Sequence, residues 1–133
     1  SMQMTHALRA AHDTILVGVN TVNNDDPSLT VRLCNGTNPQ PVILDSHCSI
    51  KASSKLVTSP NCVRPLIAIA SSKTRISEDS RETISPKELE RQGCKFLSCG
   101  HDAKGRIDLT SLLYNLSLLK YSSVMVEGGA SVI

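Results

Sequence analysis

Aromatic side chains are nearly missing: the 133 residues include Phe96, Tyr114 and Tyr121 and no Trp. Proteins that hold single-stranded nucleic acid stack bases on such rings, so that class has little to work with here. A dominant charge is also missing. Lys and Arg number 14 against 12 Asp and Glu, a formal charge of +2, which excludes a strongly basic nucleic-acid binder as the default. Apolar stretches such as Ile15–Val19 fall far short of the roughly 18 residues a membrane span needs. The opening residues Ser1-Met2-Gln3-Met4 lack the charged-then-apolar pattern of a leader. These absences lead to the expectation of a soluble, cytoplasmic protein with no nucleic-acid or membrane partner.

Metal and disulfide frameworks lack support as well. The five cysteines, Cys34, Cys48, Cys62, Cys94 and Cys99, are odd in number and contain no Cys-x-x-Cys pair. Small apolar thiols in a reducing compartment are the expectation. His6, His12, His47 and His101 lie in separate segments, none at metal-ligand spacing. The oxygen-rich run Asn23-Asn24-Asp25-Asp26 lacks the alternation and the closing Glu of a calcium loop. No metal is expected. Also missing are the Gly-x-Gly-x-x-Gly fingerprint, a Gly-x-x-x-x-Gly-Lys phosphate loop and a nucleophile elbow.

Globular composition remains, 40% hydrophobic and 20% charged, in a chain the size of one domain. Apolar, β-branched runs recur at Thr14–Val19, Pro41–Leu44, Leu66–Ala70, Cys94–Ser98 and Ser123–Val126. Nearly continuous apolar character is how strands covered on both faces of a parallel sheet read. Helical signals lie between them. Met4, Leu8 and Ala11 share a face of a first helix ending near Asp13. Pro86 opens a second with Gly93 at its C-cap. Asp108 caps a third in which Leu109, Leu112, Leu113, Leu116 and Leu119 recur at helical spacing. Ser71–Ser85 reads as a surface excursion and His101–Arg106 as a polar turn. Alternating strands and helices predict an α/β layered fold.

Ligands of open parallel sheets sit at the carboxyl ends of strands, and three transitions there carry polar residues. After the first run comes Asn20-Thr21-Val22-Asn23-Asn24-Asp25-Asp26-Pro27-Ser28-Leu29-Thr30-Val31-Arg32. Its Asn/Asp/Pro cluster reads as a tight Asx turn, and Arg32 suits either a phosphate or an exposed strand end. Asp45-Ser46 fits a ligand contact and a capping turn equally. Glu127-Gly128-Gly129-Ala130-Ser131 joins a buried strand to a turn whose glycines permit close backbone approach to a ligand. Residue chemistry alone reaches an α/β domain with an anion-binding edge.

Taken in order, these blocks resemble a known family. Leu8-Arg9-Ala10, Asp13–Gly18, Thr21-Val22, Asp25-Asp26-Pro27-Ser28-Leu29-Thr30-Val31-Arg32, Leu44-Asp45-Ser46 and Val126-Glu127-Gly128-Gly129 look like the pyrimidine reductase domain of riboflavin biosynthesis. That family includes the bifunctional deaminase–reductases and the stand-alone diaminopyrimidine reductases. The resemblance implies a dihydrofolate-reductase-like, three-layer α/β/α fold with a mostly parallel central sheet. It implies an oxidoreductase that uses NADPH to reduce the ribosylamino group of a pyrimidine 5′-phosphate to ribitylamino. Thr21, Asp25, Ser46, Gly128, Gly129, Ala130 and Ser131 would then bind cofactor. Leu29, Arg32 and Glu127 would line the substrate, with Glu127 nominated as the catalytic acid. A homodimer is implied too. Family members begin with an additional strand and continue past the Glu-Gly-Gly turn, so residues 1–133 are expected to form a single but incomplete reductase-like domain. The other readings are a non-catalytic nucleotide-binding or scaffold domain, and a dihydrofolate-reductase-like reductase of another substrate.

Overall fold

The five apolar runs become strands in the computed structural model, which describes residues 13–27, 29, 39–60, 62–70 and 85–127. They are β1 (Thr14–Gly18), β2 (Gln40–Leu44), β3 (Leu66–Ala70), β4 (Lys95–Cys99) and β5 (Val124–Val126). The sheet order is β4-β3-β2-β1-β5, and every pairing is parallel. Central β1 is buried along its whole length, as a strand covered on both faces must be. Its first residue, the buried Thr14, is satisfied because its Oγ1 donates to the Ser123 carbonyl at 2.8 Å.

Helices lie on both faces: α1 (Val19–Asp25), α2 (Lys55–Thr58), α3 (Pro86–Arg91) and α4 (Leu109–Leu118). One face buries Ile15, Val17, Ile43 and Ile67 under Val22 of α1, Leu56 and Val57 of α2 and Leu89 of α3. The other buries Leu16, Val42, Leu66 and Ala68 under Leu112 and Leu116 of α4. This is the expected three-layer α/β/α arrangement.

Several sequence expectations need correction. Val19 opens α1 instead of closing the first strand. The cluster read as an Asx turn is the end of that helix. Asn23, Asn24 and Asp25 are helical, and Asp26 stops the helix in the left-handed region at φ 46°. Helix α2 has no periodic signature because four residues are too few to show a period. Of the five periodic leucines only Leu112 and Leu116 are buried, while Leu109, Leu113 and Leu119 are exposed. The predicted helix over Met4–Ala11 and the excursion over 71–84 lie outside the described residues.

Helix α3 begins and ends as its sequence dictates. The Glu88 N–H donates to Ser85 Oγ at 3.2 Å, with Pro86 in the first turn. Gly93 follows the helix at φ +101°, where a Cβ would meet Arg64 Cγ at 3.1 Å. Arg64 occupies that space because its Nε donates to the Gln92 carbonyl at 2.9 Å and its guanidinium to Ser59 at 2.8 Å. It thereby ties the ends of α2 and α3 to the segment entering β3.

Cys48, Cys62, Cys94 and Cys99 are buried free thiols. Burial first, then the charge of Asp45 and the neighbouring Cys94, pushes the Cys48 thiol up from 9.0 to about 11. The folded value is the raised one. Its contribution to stability is therefore whole below pH 9 and is lost as pH climbs toward 11. Native protein at pH 8 is expected to shield Cys48 from an aromatic disulfide reagent until it unfolds. Labelling of Cys48 faster than global unfolding would contradict this.

Candidate functional site

A cleft of about 630 Å³ opens at the carboxyl edge of the sheet. Its floor follows from the register, in which Gly18 of β1 pairs with Leu44 of β2. The residues that follow these two, Val19-Asn20 and Asp45-Ser46-His47, therefore emerge side by side along the cleft. A third wall comes from the turn after β4, with Asp102, Lys104, Arg106 and Asp108.

Asp45 builds the loop beside the cleft. Its side chain is fully buried. Oδ1 accepts from the Ser49 N–H at 2.7 Å and from Ser49 Oγ at 2.9 Å, and Oδ2 accepts from the Ile50 N–H at 3.0 Å. A buried carboxylate persists only with such partners, and these bonds roll residues 45–50 into a fixed turn. Asp45 is thus a loop anchor, and Ser46, half-buried, lines the rim of the cleft beside it. Asn23 and Asp26 fasten α1 to the same region. Asn23 donates to the Ser49 carbonyl at 3.0 Å and accepts from the Lys51 N–H at 3.1 Å. Asp26 Oδ1 accepts from the Lys55 N–H at 2.8 Å.

The wall after β4 is held by Asp102. Oδ1 accepts from the Lys104 and Arg106 amides at 2.8 and 3.0 Å, and Oδ2 from Arg106 Nε at 3.2 Å. The Arg106 amide foremost, helped by the Lys104 amide and the Arg106 guanidinium, holds this carboxyl below its ordinary range. An antiparallel bridge between His101 and Ile107 closes the turn. Asp108 then caps α4 by accepting from the Thr110 N–H at 3.0 Å.

The predicted site residues spread along this edge. Thr21 is half-buried and Asp25 exposed on α1, and neither lines the cleft. Leu29 is 3% exposed and packs in the core beneath α1. Glu127 follows β5, half-buried, and its N–H donates to the Leu16 carbonyl at 2.9 Å, which extends the β1–β5 ladder. Arg32, Gly128, Gly129, Ala130 and Ser131 lie outside the described residues. The chain leaves β1 toward β2 on one side and returns as β5 on the other. Ser46 and Glu127 therefore flank the topological switch point from opposite sides, the usual ligand crevice of such sheets. Asn20, His47, Lys104 and Arg106 also line the cleft, and no motif marks them. The last two stand in a turn whose composition reports polarity but not where it folds.

Residues 1–133 match the RibD C-terminal domain. A 2,5-diamino-6-ribosylamino-4(3H)-pyrimidinone 5′-phosphate reductase of Aquifex aeolicus is 33% identical over 127 residues, covering 96% of this chain and 51% of that protein. Among solved structures, the riboflavin biosynthesis reductase Rib7 of Saccharomyces cerevisiae superposes with a TM-score of 0.71 at 28% identity. That match covers 99% of this chain and 54% of Rib7. A Thermotoga maritima diaminohydroxyphosphoribosylaminopyrimidine deaminase/5-amino-6-(5-phosphoribosylamino)uracil reductase gives 0.66 at 31% identity, over 97% of this chain and 31% of that one. The chain spans about half the length of the curated reductases it matches.

Proposed function

The chain belongs to the RibD C-terminal domain family, and from that premise we propose that it is the reductase part of riboflavin biosynthesis. The reaction is NADPH-dependent conversion of the ribosylamino group of a pyrimidine 5′-phosphate to ribitylamino. The observation that carries this reading is the placement of Ser46 and Glu127 on either side of the β1 carboxyl end, within a match that runs the full chain.

The cleft suits a dinucleotide. It offers a hydroxyl, an imidazole and two cations along about 630 Å³, comparable to ordinary small-molecule sites. When bound, the nicotinamide supplies a hydride, and the protein supplies binding, orientation and exclusion of water. Ser46 holds the cofactor within the cleft, and Thr21 and Asp25 of α1, which lie beyond its lining, reach the part of the cofactor that extends past it, together with the segment from Gly128 to Ser131. Arg32 takes the substrate phosphate through a bidentate guanidinium contact, and Leu29 lies along the substrate through its backbone. Reduction needs an opened sugar imine, a hydride at its C1′ and a proton at its nitrogen. Glu127, an acid at the switch point, holds that proton.

Saturating NADPH is expected to raise the melting temperature more than NADH does, by mass action on the folded state. NADPH oxidation should depend on the pyrimidine phosphate, and Glu127→Gln should slow it by roughly a hundredfold, as loss of a general acid does. Equal turnover in the variant removes Glu127 from the chemistry, and absence of any NADPH shift removes the cofactor assignment. A homodimer accords with the outward Leu113, Tyr114 and Leu118 of α4. Sedimentation of the same samples as a monomer would refute it.

A further inference from the structure

Two segments hold the cofactor in the reading above, helix α1 with Thr21 and Asp25 and the 45–50 turn with Ser46. The sheet fixes them only at their roots, where Gly18 pairs with Leu44. Beyond that register, three side-chain bonds among the described residues hold α1 to the chain that leaves the turn. Asn23 commits both ends of its amide: Nδ2 donates to the Ser49 carbonyl at 3.0 Å and Oδ1 accepts from the Lys51 N–H at 3.1 Å. Asp26 Oδ1 accepts from the N–H of Lys55, the first residue of α2, at 2.8 Å. Ser49 lines the cleft, as do Val19 and Asn20, which stand one helical turn before Asn23 on its side of α1.

Two further observations separate this latch from ordinary packing. Ser54 stands at the N-cap of α2, where a serine oxygen normally accepts from an early helix amide. Its side chain makes no such bond, and Oγ is buried with no hydrogen bond among the described residues. The side-chain oxygen on the first amide of α2 comes from the other helix, through Asp26. In addition, Asp26 and Cys48 both hold left-handed backbone, at φ 46° and 55°. Non-glycine residues keep such a conformation only where their surroundings over-determine it. Asp45 pins the turn around Cys48 from within, and Asn23 pins its exit from α1.

We propose that Asn23 and Asp26 are positioning residues that preset the spacing between α1 and the 45–50 turn, and so set cofactor affinity, not the rate of the reduction. The latch rests on the nicotinamide reading above and deepens it. A turn already ordered before the dinucleotide arrives need not be ordered by it.

The test compares NADPH calorimetry, steady-state kinetics and melting temperature for the unaltered protein, Asn23→Ala, Asp26→Gly, Asp26→Asn, Ser54→Ala and Ser85→Ala. Alanine improves helix propensity at position 23, and glycine accepts the left-handed backbone at position 26. Each therefore opens the latch without straining α1. Both should raise Kd and KM for NADPH roughly tenfold, the cost of ordering a turn on binding, with kcat held within about twofold. Asp26→Asn keeps an accepting oxygen and suits the left-handed region, so it should bind as the unaltered protein does. Ser54→Ala should change neither affinity nor kcat. Ser85→Ala, which removes the α3 cap, should lower the melting temperature alone. Hydrogen exchange of the ligand-free protein adds a readout independent of the cofactor. The Lys51 amide should lose protection in Asn23→Ala and the Lys55 amide in Asp26→Gly, with Ile67 in the core of β3 unchanged.

Unchanged affinity in either latch variant, retained amide protection, a fall in kcat with KM unmoved, or no rescue by Asp26→Asn overturns the latch and leaves the cofactor reading intact. Equal weakening in Ser54→Ala or Ser85→Ala assigns the effect to general stability and overturns it as well. Failure of the unaltered protein to bind NADPH overturns both.

Discussion

Asp45→Asn is expected to destabilise the protein by about 3 kcal/mol, the cost of breaking a buried, charge-assisted hydrogen-bond set. The carboxylate accepts three bonds from Ser49 and Ile50. An amide keeps one accepting oxygen and turns an NH₂ group against a backbone N–H. The side chain is fully buried, so water cannot repair the mismatch. Urea unfolding followed by circular dichroism measures the effect. A loss under about 1 kcal/mol would mean that the loop does not depend on the carboxylate. The loop it holds carries Ser46 and His47 into the cleft, so dinucleotide binding should weaken with it. The effect should be insensitive to salt, because a buried acceptor is poorly screened.

Leu112→Ala should cost about 3 kcal/mol, in the range for emptying a fully buried leucine site, whereas Leu113→Ala should change stability by at most about 0.5 kcal/mol. The two are adjacent in sequence and identical in chemistry. Leu112 is 0% exposed against the sheet and Leu113 is 50% exposed. Parallel urea titrations of the two variants decide it, and comparable losses would place both in the core. The pair tests the face on which α4 lies, and that face decides where the Asp102–Asp108 turn preceding it meets the cleft.

Strand positions were legible because a strand buried on both faces needs only a short apolar run. Leu66–Ala70 emerges with the expected bounds, and each of the others differs by one residue at one or both ends. Caps were legible for a similar reason. Asp108 before α4, and Pro86 with Gly93 around α3, act within a turn of where they stand. Helix α1 was not legible. Its apolar content is Val19 and Val22, and the Asn and Asp residues that favour turns in isolation are here committed to the backbone of residues 49–55. The leucine periodicity of α4 indicated a helix but not its buried stripe, since five candidates exceed what one narrow contact with the sheet can cover.

The short apolar runs and the caps between them were enough to determine an α/β domain, and the ordered Asp-Asp-Pro, Leu-Asp-Ser and Glu-Gly-Gly blocks carried its resemblance to the reductase family. These are properties of residue type and order. The tertiary structure alone decided that Asp45 serves the loop and that Leu29 packs in the core. It also decided that a turn arriving from β4 brings Lys104 and Arg106 to the end of β2. The physical reason is distance along the chain. Residues 45 and 106 line one cleft only because parallel strands place their carboxyl ends on one edge, and no local pattern in the sequence encodes which turn will fold over that edge.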